Sequence, residues 1–145
     1  IRAAVAEGKF GDIESSEFLA KAIIDRRLRI LQTFLPKVNP IVDPALDAQG
    51  RLTFRNAASD AAVADRAPGY RALWYTFDNA SDRSTLVATT EETQSPMLMP
   101  AMPTADYIKV DLTAVGGPEA WTKPVSAYFR KNSGNWILVG FERQP

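Results

Sequence analysis

The chain has 145 residues, 46% of them hydrophobic, which is the size of one domain with apolar material for one core, so we expect a single domain over 1–145. Its 17 basic residues offset 17 acidic ones, so the overall field of a nucleic-acid binder or of a protein adsorbed on anionic lipid is absent, and no apolar run is long enough for a membrane span. With neither cysteine nor histidine, disulfides, thiolate nucleophiles, histidine triads and zinc sites of the usual type are excluded, while carboxylate, lysine or tyrosine chemistry and oxygen-ligated metals survive.

The first residue is Ile1 and not methionine, which reads as a processed chain or a fragment of a longer protein, with an exported or periplasmic setting favoured. Residues 1–10 are Ala-rich and suit a short helix ended by Gly8 and Gly11. Residues 15–35 carry the strongest periodicity. At about 100° per residue, Leu19, Ile23, Ile24, Leu28, Ile30, Leu31, Phe34 and Leu35 fill one half of the helical wheel, which is expected to be buried. Ser15 or Ser16 is the expected N-cap and Pro36 the stop. Arg27 falls in the middle of that apolar half.

Residues 37–50 hold Pro40 and Pro44 and read as a rigid connection. Strands follow at 51–55, 70–77, 84–90 and 105–113, the last alternating Tyr107, Lys109 and Asp111 against Ile108, Val110 and Leu112. Residues 123–131 and 135–142 form a hairpin closed by Asn132-Ser133-Gly134, and the run Ile137-Leu138-Val139 implies a strand inside the sheet. Residues 94–104 hold three prolines and every methionine, a segment through which no regular ladder is expected. Helices come first and about six strands after them with no intervening helices, so the fold class is α+β, a long amphipathic helix laid on a mostly antiparallel sheet. In element order the chain resembles the cone of the NTF2-like proteins, which surrounds a pocket; a sandwich-like sheet pair is the alternative layout.

Arg27 is the sharpest anomaly, since a guanidinium among apolar residues has to be paired or becomes very costly. It is either an anion receptor at a pocket floor or the partner of a strand carboxylate such as Asp111, Asp106 or Glu142. Trp74, Tyr107 and Tyr128 lie on strands where a face of aromatics can stack on sugars or hold an apolar ligand. The candidate ligand-binding set is therefore Arg27, Trp74, Tyr107, Asp111 and Tyr128, with no catalytic set, no metal site and no cofactor assigned. Met97, Met99 and Met102 have the thioether spacing of a copper(I) site, or make the Pro/Met segment 96–103 a surface for a small molecule or protein partner. Asp78, Asn79 and Asp82 offer oxygens that a hairpin turn explains more simply than calcium does. The leading expectation is a non-enzymatic binding or accessory domain with an anionic or apolar ligand held between the long helix and the sheet. An Asp/Tyr acid–base enzyme beside Arg27, and copper(I) handling by the methionine loop, are the alternatives.

Overall fold

The computed structural model describes residues 1–143. Two helices open the chain, α1 (Arg2–Glu7) and α2 (Ile13–Phe34). Asp12, not Ser15 or Ser16, caps α2. Its carboxylate accepts from the Ser15 N–H at 2.6 Å and from the Ser15 hydroxyl at 2.8 Å. Those two bonds favour the ionised form and hold the Asp12 carboxyl below its ordinary pKa. Pro36 sits in a short 3-10 turn (Leu35–Lys37) and the α-helix ends one residue earlier than expected, at Phe34.

Eight strands follow: β1 (Ile41–Leu46), β2 (Arg51–Asn56), β3 (Gly69–Asp78), β4 (Arg83–Glu92), β5 (Met97–Leu98), β6 (Tyr107–Val115), β7 (Val125–Asn132) and β8 (Asn135–Arg143), with the single-turn helix α3 (Ala57–Asp60) after β2. They form a three-stranded sheet in the order β1-β2-β5 and a five-stranded sheet in the order β4-β3-β6-β7-β8. Every pairing is antiparallel. The fold is thus α+β, helices first and antiparallel sheets after them. The NTF2-like cone is not confirmed by this arrangement.

Both sheets face one core. Ile41, Leu52, Phe54 and Met97 come from the small sheet, and Trp74, Ile108, Val110 and Phe129 from the large one. Buried Asn39 fastens the entry to β1 to the large sheet: its Nδ2 donates to the carbonyls of Leu112 (3.0 Å) and Lys123 (2.8 Å), and its Oδ1 accepts from the Ile41 N–H (3.0 Å). The β7–β8 hairpin closes as expected. Ser133 and Gly134 both have positive φ, the left-handed pair that matches the strand twist.

Three expectations need correction. Residues 41–46, read as a connection, are a strand, because Asp43 takes a positive φ and shifts the register with β2 there, leaving room for Pro44. The methionine segment does enter a ladder, for the two residues of β5, where Leu52 pairs with Met97. Strand β8 is an edge strand, not an interior one, and Ile137, Leu138 and Val139 are 41%, 39% and 52% exposed. A run of three apolar residues does not distinguish a strand covered on both sides from an apolar edge.

The long helix also departs from its wheel. Of its residues only Ala20 is buried; Ser16, Leu19, Ile24 and Leu31 are half-buried, and Arg27 is exposed. Helix α1 packs on its N-terminal half, with Val5 buried and Arg2 paired to Glu17. Its C-terminal end joins the two-sheet body through Leu35, which packs against the core and whose carbonyl accepts from Trp121 Nε1 at 3.2 Å.

Candidate ligand site on the outer face of the large sheet

The core-facing side of β6 is set by Ile108, Val110 and Leu112, each fully buried, so the two-residue period turns Tyr107, Lys109, Asp111 and Thr113 to the opposite face. Strand register then decides their neighbours. Lys109 pairs with Tyr75 on β3 and Tyr128 on β7; Asp111 pairs with Leu73 and Ser126. Two rows of side chains run across the outer face as a result.

The rows form one compact cluster. Lys109 Nζ lies 5.3 Å from the centroid of the Tyr75 ring and 5.8 Å from that of Tyr128, between two negative ring faces. It also faces Asp111 Oδ1 at 3.3 Å, and the same oxygen accepts from Ser126 Oγ at 2.6 Å. The side chains of Lys109 and Asp111 are only 14% and 12% exposed. Large aromatic neighbours supply the cover: Phe77 meets Tyr128 edge to face at 5.1 Å. Burial, then the Asp111 charge, pushes the Tyr75 phenol above its ordinary pKa, with Lys109 opposing; it therefore stays a protonated donor at neutral pH.

Beside this cluster the face dips into a depression of about 420 Å³ lined by Arg71, Leu73, Tyr75, Asp111, Thr113 and Thr122. The ion pair and the Ser126 hydrogen bond of Asp111 both fall on Oδ1, and the Tyr75 hydroxyl stands close enough to the carboxylate for a hydrogen bond to add to its raised pKa. Arg71 at the rim is paired with Glu91 at 2.6 Å. Charges in and around the dip are thus matched in pairs.

Asp111 and Tyr128 meet in this cluster, and Tyr107 stands on the same face one row away, half-buried and in register with Arg130. Trp74 belongs to the neighbouring strand but points the other way; it is fully buried and its Nε1 donates to Thr90 Oγ1 at 2.9 Å. Arg27 is not among them. It is exposed on α2 and forms no ion pair with any described residue, so the strand carboxylates named for it do not engage it. Lys109, Tyr75 and Ser126 were missed as site residues. The alternation of β6 already put Lys109 beside Asp111, but the cross-strand partners depend on register.

The other sequence candidates have local explanations. Met97 is buried in the core, and Met99 and Met102 pack against it. Asp78 closes the β3–β4 turn: Oδ2 accepts from Ser81 Oγ at 2.7 Å and Oδ1 from the Ala80 N–H at 2.9 Å, which holds its carboxyl below the ordinary value. Arg55 is held between Asp43 and Asp60, both within ion-pair distance. No known protein family, curated protein or solved structure matches the chain.

Proposed function

We propose that the chain is a non-enzymatic binding domain whose ligand is a small neutral molecule with several hydroxyl groups, of the sugar class, seated in the depression beside Tyr75 and Asp111. The observation that carries this is the Asp111 carboxylate beside the protonated Tyr75 hydroxyl in the lining of the depression, an acceptor and a donor at an aromatic wall. Polyhydroxylated rings present that combination, an apolar face for the ring and hydroxyls at its edge. Pairing of Arg71 with Glu91 and of Lys109 with Asp111 removes the net charge that would select an anion or a cation. A volume of about 420 Å³ suits a mono- or disaccharide.

Proton-transfer chemistry is the weaker reading, because Lys109 and Ser126 both occupy Asp111 Oδ1 and Arg27 stands apart from it. Calorimetric titration with a panel of neutral mono- and disaccharides tests the proposal. A binding sugar at a hundred times its Kd should stabilise the fold by about 2.7 kcal/mol, and Tyr75→Ala should abolish both the heat and the stabilisation. Binding that survives Tyr75→Ala, or a panel with no binder, rules it out.

A further inference from the structure

A second cavity, of about 290 Å³, opens where the end of β2, the loop before β3 and the segment between β4 and β5 meet, and it shares no lining residue with the depression beside Tyr75. Its floor is polar and buried. Asn56 and Tyr70 both line it and are only 6% and 8% exposed. Asn56 Oδ1 accepts from the N–H groups of Ala58 (3.1 Å) and Ser59 (3.2 Å), which orients the amide so that Nδ2 donates to the Tyr70 hydroxyl at 3.1 Å. The Tyr70 oxygen is thus an acceptor within the fold, and its proton has no acceptor among the described residues. Ser95, also in the lining, is placed the same way: its Oγ accepts from the Phe54 N–H at 3.1 Å, and its proton has no acceptor among them either. Arg66 at the rim is exposed and forms no ion pair with any described residue, whereas Arg55 beside it in the lining is held between Asp43 and Asp60.

We infer that this cavity binds a small monocarboxylic acid, its carboxylate held by Arg66 and by the hydroxyls of Tyr70 and Ser95. Two hydroxyls with their oxygens engaged and their protons unspent, beside an unpaired guanidinium, make a wall of donors, and such a wall selects an acceptor. A buried donor without an acceptor costs free energy, so a ligand oxygen supplies what the Tyr70 proton lacks. Charge sets the class of that oxygen. Asp60 already offsets Arg55, which leaves the single charge of Arg66 to be matched by a single negative charge; a phosphate would bring a second one beside Asp60. A planar carboxylate also fits the guanidinium fork with both of its oxygens. For the hydrocarbon part of the acid, the lining offers Ala67 and the Phe54 ring, which meets Tyr70 edge to face at 4.9 Å. The two sites of the molecule therefore differ in chemistry: the depression beside Tyr75 pairs its charges, and this cavity leaves one guanidinium over.

Sodium propionate and sodium benzoate are the probes, with propionamide and benzamide as their neutral counterparts and inorganic phosphate as the more highly charged anion. Each is titrated into the full isotope-labelled chain at constant ionic strength, so that nonspecific attraction to arginine is screened equally throughout. At least one of the two carboxylates should move the backbone amides of Asn56, Arg66, Tyr70 and Ser95 saturably at millimolar concentration, while the neutral amides and phosphate leave them in place. Arg66→Gln should weaken that binding about tenfold or more with circular dichroism unchanged, because the Arg66 side chain has no ion-pair partner in the fold. Tyr70→Phe should weaken it several-fold; the change also strips Asn56 Nδ2 of its acceptor, so its urea midpoint is measured alongside, and the Arg66 variant decides the matter if the Tyr70 variant unfolds. No saturable shift with either carboxylate, equal binding of the neutral amides, equal binding after Arg66→Gln, or phosphate binding more tightly than both acids overturns the inference.

Discussion

Strand β6 and helix α2 are the two most regularly amphipathic segments of the chain, and they have opposite fates. In β6, Ile108, Val110 and Leu112 are fully buried, and even the polar row behind them is largely covered. In α2 a comparable apolar half leaves one residue buried, Ala20. Periodicity specifies which side of an element is apolar; what covers that side is decided by the partners that topology provides. Strand β6 has β3 and β7 beside it and the small sheet across the core, whereas α2 has α1 on one half and a short turn at its end.

Truncation should make this contrast measurable. Phe129→Ala removes a fully buried ring from the shared core and should cost about 3–5 kcal/mol, seen as a fall in urea midpoint without a change in slope. A loss under about 1 kcal/mol would mean that the core relaxes around the cavity. On the outer face, Lys109→Met leaves the mostly covered Asp111 without its counter-charge and should cost roughly 1–3 kcal/mol. Adding Asp111→Leu should recover most of that, since a dry pair often replaces an ion pair at little cost; a double variant no better than the single one would show that Lys109 acts through packing on Tyr75 and Tyr128. Least affected should be Ile30→Ser on α2, with a change within about 0.5 kcal/mol, because that side chain is already about half exposed. A loss comparable with that of Phe129→Ala would place α2 against the sheet in solution.

How far the sequence was readable follows from the same contrast. Alternation and turn residues located the strands of the large sheet and the β7–β8 hairpin, because each signal is local. Strand β1 was hidden by Pro44, whose accommodation goes with a positive φ at Asp43 and a register shift there that nothing in the neighbouring residues announces. Tyr107, Asp111 and Tyr128 were picked as site residues from composition and face. Tyr75 and Lys109 join Asp111 only through registers that pair residues far apart in the chain, 75 with 109 and 109 with 128. Arg27 stands out on the wheel as a guanidinium among apolar residues, yet it is exposed, because a wheel contains no information on whether its apolar half meets a sheet or water.

The outer-face site is tested most directly by amide chemical-shift mapping of the labelled chain during titration with whichever neutral saccharide binds in calorimetry. Shifts confined to Leu73, Tyr75, Asp111, Thr113 and Thr122, and absent from the core-facing Val110 and from α2, are the expected pattern. Shifts centred on α2 or on the methionine segment, with the Tyr75 and Asp111 amides unmoved, would remove the depression as the binding site.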